Sequence, residues 1–286
     1  MKDIPLSPRI IEIKRKRRAE KWRKTILFII LFGVIVYALS FFSNNERITI
    51  NKVEIKGNHI ISSESIEEKV FADISGKYLH LFSRANTFIY PREKIARNLV
   101  FNFPRIEEIS VYRDGFKMVH IDMKERVGSY LYCGASVPVD KNEIGENCYF
   151  INDDGFVFDK APYFSGNIYF KYYVDIKEVD PLGKQMLPRD EFHKLMRFVE
   201  GVRSIGFTPI YLVMTNDNTN HLYLESSSGS TKPEIIFKND VDFDVLLENL
   251  SLAMKKKEFT GEINSKYSSL LYIDLRFKNK VLYKFQ

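Results

Sequence analysis

The chain is poor in cysteine, tryptophan, glycine and proline, and each scarcity excludes something. Two cysteines in 286 residues rule out a disulfide-dense scaffold and a four-cysteine zinc site, leaving one bridge at most or two free thiols. With 14 Gly, 10 Pro, 45% hydrophobic and 14% aromatic residues, the chain is neither collagen-like nor mainly disordered. Its five histidines (His59, His80, His120, His193, His221) form no HExxH and no i, i+4 pair. There is no GxSxG, no phosphate-binding glycine loop and no Cys-His arrangement by spacing. The expectation is therefore a protein with no catalytic, cofactor-binding or metal residues. A chain of this length has room for about two domains.

An excess of charge of one sign is absent from most of the chain. The net +6, 43 Lys+Arg against 37 Asp+Glu, hints at nucleic acid or an anionic membrane. Residues 1–24 hold ten basic groups, most of them between Lys14 and Lys24, against Asp3, Glu12 and Glu20. That local +7 leaves 33 basic and 34 acidic groups for residues 25–286. Directly after Lys24, Thr25 to Phe42 is an uncharged, proline-free run of 18 residues. As a helix it would be about 27 Å long, close to the roughly 30 Å hydrocarbon core of a bilayer. Lys/Arg on one flank and Ser43, Asn44 and Asn45 on the other orient it with a basic cytoplasmic tail (1–24), a transmembrane helix (25–42) and the remainder outside. Trp22 stands where interface tryptophans do. No nucleic-acid fold or aromatic platform accompanies the basic residues, so nucleic acid is not expected as a partner, while anionic lipid is. Ala38-Leu39-Ser40 fits a cleavage pattern, so a removed signal peptide is the rival, although the leading region and the apolar run are both long for one.

From Ile48 the pattern changes to short elements. Ile50, Val53 and Ile55 read as a strand ended by the turn pair Gly57-Asn58. Ser62 reads as an N-cap, with Ile61 and Ile66 as a hydrophobic staple and Ile66/Val70 on one helix face. Gly76 closes that region. Pro91 reads as the first residue of a second helix carrying Ile95/Leu99, and Pro104 forbids its continuation. Ile109/Val111 and Val119/Ile121/Met123 alternate around Asp114-Gly115, a strong hairpin signal. The expected order is strand, helix, helix, strand, strand, with both helices on one face of a three-stranded sheet.

These residues resemble a known family. VEIKGNHIISSESIEEKV and PREKIARNLVFNFPRIEEISVYRDGFKMVHIDMKERV are similar to the POTRA domain of the bacterial cell-division proteins FtsQ/DivIB. The resemblance rests on the strand closing at Gly57-Asn58, the capped helix at Ile66, the Pro104-x-Ile106-x-x-Ile109 lead into a strand and the terminal Glu125-Arg126. It implies an α+β chain: a single transmembrane helix, a POTRA domain (β-α-α-β-β) at 46–126 and a mainly antiparallel β domain with flanking helices at 127–286.

The second domain reads as mostly strand: Tyr130/Tyr132, Tyr149 to Ile151, Phe156 to Phe158 after the Asp153-Asp154-Gly155 turn, Ile210/Leu212/Met214, Leu222/Leu224 and Ile235/Phe237. The turn is not a calcium loop, since no ligands follow at the required spacing. Phe192, Leu195, Met196, Val199 and Val202 form one helical stripe. Asp240, Asp242 and Asp244 lack the Gly and Glu of an EF-hand, since Val245 and Ser251 stand there, and read as the cap and first turn of a helix that Lys255 to Lys257 would finish. CYFINDDGFVF resembles the segment opening the FtsQ β domain, and SLLYIDLRFKNKVLYKF resembles its end. The latter reads as a strand, a turn at Lys278-Asn279 and a last strand, Lys280 to Phe285.

A terminal strand has one neighbour by chain order, so its other side is either blunted or a template for an added strand. Lys280 and Lys284 serve the first reading; Val281, Leu282, Tyr283 and Phe285 serve the second. The resemblance implies the second, with FtsB/FtsL-like membrane proteins as partners, no small-molecule substrate, and a partner site at Arg276, Phe277 and Lys280, Val281, Leu282, Tyr283, Lys284 and Phe285. Arg276 would then pair a partner carboxylate. The implied function is a divisome scaffold of the cell membrane, concentrated at the septum, that helps regulate septal peptidoglycan synthesis. A POTRA-bearing component of protein export or outer-membrane assembly is the alternative, and a secreted enzyme freed after Ser40 is a third reading. Cys133 and Cys148 flank a polar insertion, Gly134 to Asn147, on the oxidising side. A disulfide there would close a loop of about 15 residues and contribute about 3 kcal/mol. Two unpaired thiols are the other possibility.

Overall fold

The computed structural model describes residues 8–138, 147–164, 166–176, 180–226 and 231–286. The chain is α+β, with one apolar N-terminal helix and a large, mostly antiparallel sheet. By its internal contacts it divides into two compact units, 1–100 with 108–124, and 101–107 with 125–286.

Helix α1 runs unbroken from Pro8 to Ser43. The expected boundary between a basic tail and a span at Lys24 is thus not a structural one, because nothing in the sequence there breaks a helix and Lys and Arg are good helix formers. Residues 15–43 have a mean hydropathy of 2.6 over their most apolar window, and none of that window is buried by protein. The helix is long and apolar enough to span a membrane.

The first unit continues with strand β1 (Lys52–Lys56) and helix α2 (Ser63–Ile74). Ser62 caps α2, its side chain accepting a hydrogen bond from the Ser65 amide, and Ile66, Val70 and Ile74 fall on one face and are buried. A short hairpin, β2 (Lys77–Tyr78) and β3 (Phe82–Ser83), intervenes before helix α3 (Arg92–Asn102). No helix-then-helix reading anticipates that hairpin. Helix α3 starts one residue later than expected: Pro91 precedes it, and its carbonyl accepts from the Ile95 amide at 3.0 Å. Ile95 and Leu99 are buried. Strands β4 (Ile106–Asp114) and β5 (Met118–Glu125) follow, joined through Gly115, and the sheet order is β1-β5-β4, with β1 parallel to β5.

The second unit is built on a nine-stranded sheet. Its strands are β6 (Tyr130–Tyr132), β7 (Tyr149–Ile151), β8 (Val157–Lys160), β9 (Phe170–Val174), β10 (Pro209–Met214), β11 (Thr219–Leu224), β12 (Glu234–Lys238), β13 (Leu270–Asp274) and β14 (Leu282–Phe285). In space they run β14-β13-β12-β11-β10-β9-β6-β7-β8. Strand β9, unforeseen from the sequence, lies inside the sheet and is parallel to both neighbours. Its FKYYV has no clean alternation, because Tyr172 is buried on one face and Tyr173 on the other.

Helices α4 (Arg189–Ser204), α5 (Phe243–Lys255) and α6 (Lys257–Lys266) join the main core. Every member of the Phe192, Leu195, Met196, Val199, Val202 stripe is buried there, against Leu212, Leu222, Ile235 and Ile273 of the sheet. Asp242 caps α5 by accepting from the Asp244 amide. Lys255 stands in the last turn of α5 as expected, but Lys257 does not belong to it: Lys256 is extended (φ −78°, ψ 120°) and Lys257 opens α6, whose Phe259 and Ile263 are buried. On the other face a smaller cluster gathers Leu131, Cys133, Cys148, Ala161 and Tyr173, with Phe150, Phe164 and Tyr211 at its margin. Cys133 and Cys148 are joined in a disulfide, with their Cα atoms 4.2 Å apart. Most of the segment it brackets, 139–146, and the serine-rich residues 227–230 lie outside the described residues.

Candidate functional site

Strand β14 is the last strand at one end of the sheet, and among the described residues no strand lies beyond it. It exists because of the turn before it. The Lys280 amide donates to the Phe277 carbonyl at 3.1 Å, and Asn279 takes φ +58°, a left-handed value asparagine tolerates. The chain then reverses against β13, pairing Asp274 with Leu282, Ile273 with Tyr283 and Tyr272 with Lys284. The regular strand starts at Leu282, two residues after the expected Lys280, because Lys280 belongs to the turn.

The register divides the candidate residues between two faces. Tyr283 lies opposite the core residue Ile273, and Val281 and Phe285 fall on the same side by alternation. Tyr283 donates its hydroxyl to Glu262 of α6 at 2.7 Å and meets Phe259 edge-on at 4.9 Å. Its phenol is held above the ordinary value chiefly by that bond to a carboxylate. Phe285 packs against the core and carries the Lys266 ammonium 5.6 Å above its ring. Leu282 and Lys284 occupy the opposite face, with Leu282 45% exposed. Phe277, in the turn, is 49% exposed. Beside the edge, α5, α6 and Val281 border an open groove of about 530 Å³, lined by Leu252, Ala253 and Phe259 and rimmed by Lys256 and Glu258. The strand thus offers apolar contact on both faces. Lys280 and Lys284 are its own cations.

Arg276 differs from the rest. Its Nε and Nη2 already form a fork on the buried carboxylate of Asp274, at 3.0 and 2.7 Å. Burial alone would raise the Asp274 carboxyl, but the hydrogen bonds and charge of Arg276 outweigh it and hold that acid below its usual range. The same pairing raises Arg276. One side of the guanidinium is therefore committed within the fold, and a partner carboxylate would meet only the other.

Behind this pair, His221 Nδ1 lies 3.0 Å from Glu234, and its pKa is raised above the ordinary 6.5, first by that hydrogen bond and against the opposing effect of burial. Asp217 adds to the rise and Arg276 works against it. A raised imidazole stabilises the fold fully below about pH 6.5 and loses that contribution as pH climbs through the raised value. The thermal midpoint should therefore fall as pH rises above about 6.5, and His221→Gln should flatten that dependence. Parallel pH curves for the two proteins would remove His221 from the account.

Sequence reasoning missed α6 and with it the Glu262–Tyr283 and Phe259–Tyr283 contacts. The signal was present as Phe259 and Ile263 at i, i+4, but Gly261 between them reads as a breaker. Among the described residues no cluster of three or more His, Cys, Asp or Glu is placed to hold a metal ion. No protein-family model matches the chain, and no curated protein matches it.

Proposed function

We propose that the protein is a single-pass membrane scaffold of the FtsQ/DivIB kind, which gathers FtsB/FtsL-like partners outside the membrane and helps regulate septal peptidoglycan synthesis. The observation that carries this reading is the terminal position of β14: a short strand at the end of a nine-stranded sheet, apolar on both faces and next to an open groove. Such an edge suits β-augmentation, in which main-chain hydrogen bonds supply affinity and side-chain pockets supply choice. The order β1, α2, α3, β4, β5 with sheet order β1-β5-β4 supports a POTRA reading of the first unit, with β2–β3 as an insertion. The basic first half of α1 supports a cytoplasmic N-terminus. On this reading the protein binds and does not catalyse. A fluorescent fusion should form a band at mid-cell in dividing cells. Even distribution around the envelope would overturn the assignment.

A further inference from the structure

We infer that the β2–β3 hairpin is a second membrane contact, its tip dipping into the lipid interface beside the end of α1. The inference rests on α1 being a span and is independent of the partner reading.

Hydrogen bonds fix the hairpin to the end of the helix. The Ser83 amide donates to Ser43 Oγ at 3.1 Å. Two residues nearer the tip, the Leu81 carbonyl accepts from Ser40 Oγ at 2.8 Å and from Asn44 Nδ2 at 2.9 Å, the latter side chain reaching back to donate to the Ser40 carbonyl as well. Leu81 and Ser83 are thus both fastened to the last turn of α1, between Ser40 and Asn44. Asn86 Nδ2 donates to the Ser43 carbonyl at 3.1 Å and fastens the base. The tip, Leu79 and His80, directly precedes Leu81, which is bonded to that last turn of α1.

The tip is built at a cost that solvent exposure would not justify. The Leu81 amide donates to the Tyr78 carbonyl at 2.9 Å, closing a turn whose central residues Leu79 and His80 have φ +49° and +62°. Asparagine and glycine are the residues that turn favours, and a leucine there is strained. Yet Leu79 is 84% exposed and Leu81 40% exposed in the protein alone. Between Ser75 and Pro91 there is no Asp or Glu, while Lys77, Arg84, Tyr78, Phe82, Phe88 and Tyr90 give the basic and aromatic composition of a membrane interface. An apolar tip next to a span, with a cationic and aromatic base, suits lipid acyl chains below and anionic head groups above.

The test uses the full chain with Trp22→Phe, which removes the single tryptophan, reconstituted in phosphatidylcholine/phosphatidylglycerol vesicles with or without bromine on the acyl chains. Leu79→Trp and, separately, Leu81→Trp should be quenched severalfold by brominated lipid and should emit to the blue. Ile60→Trp, at the far end of β1 from α1, should be unaffected. Leu39→Trp reports the span itself. Quenching at position 39 with none at 79 and 81 beyond the level at 60 would overturn the hairpin contact alone. Absence of quenching at 39 as well would overturn the span and the hairpin contact together.

Discussion

Deleting Lys280 to Gln286, or replacing Phe285 with Glu, is expected to abolish co-purification of FtsB/FtsL-like partners with the full-length protein. The deletion removes β14 altogether and leaves β13, whose face is covered by the core, as an edge that presents different side chains. Phe285→Glu is subtler. It places a carboxylate where a ring packs against the core under Lys266, which disturbs the seating of the strand on α6 and its apolar grip. Loss of one buried aromatic anchor costs about 2–4 kcal/mol of binding, on the order of 100-fold in affinity. The strand contributes few of the fully buried side chains of the sheet, since its own burial is slight. A cooperative melt should therefore survive both changes, lowered by several degrees. Undiminished partner recovery from the deletion variant would end the edge-strand proposal.

Gly57→Ala is expected to have the largest effect on stability of any single methyl group added to the first unit. Gly57 has φ +83°, and a Cβ there would stand 1.9 Å from the carbonyl oxygen of Met123 and 3.1 Å from its carbon. The obstacle is backbone of β5, which pairs with β1 immediately before the turn, so it cannot swing aside like a side chain. The strained dihedral costs about 1 kcal/mol, and displacing a ladder residue raises the total to about 4 kcal/mol. For a unit of this size that lowers the melting midpoint by roughly 15–30 °C. Gly115→Ala is the control, because Gly115 is also left-handed (φ +63°) but nothing lies within 4 Å of its would-be Cβ. Differential scanning calorimetry of the two should separate them by about 3 kcal/mol. Equal melting would show that β5 yields at Met123 without cost.

The sequence reading succeeded where a local signal and the tertiary outcome coincide. Ser62 caps a helix because its own hydroxyl can reach the Ser65 amide, and Phe192 to Val202 face the core because a helix lying on a sheet buries one stripe. Gly57-Asn58 marked a turn, although the reason for the glycine, the carbonyl of Met123, is not local. It failed where two faces or two partners decide. Strand β9 hides its period because both faces are covered. The break at Lys256 has no glycine or proline to announce it. The β2–β3 hairpin turns on a leucine and a histidine in a conformation that neither favours. Of the candidate site, the edge strand was legible from its alternation, while the commitment of Arg276 to Asp274 was not: two residues apart, they would share a face of a strand, but nothing local says whether that arginine pairs within the fold or with a partner.

Helix α1 is continuous over 36 residues, about 54 Å at the usual rise, or some 24 Å more than a hydrocarbon core requires. It leads into Asn44 and Asn45 without a flexible linker, and Ser40, Ser43 and Asn44 bond directly to the unit that follows. A rod with no joint transmits torque. Any force that twists or tilts its basic end would turn β1 to β5 by the same angle, so the helix can act as a drive shaft.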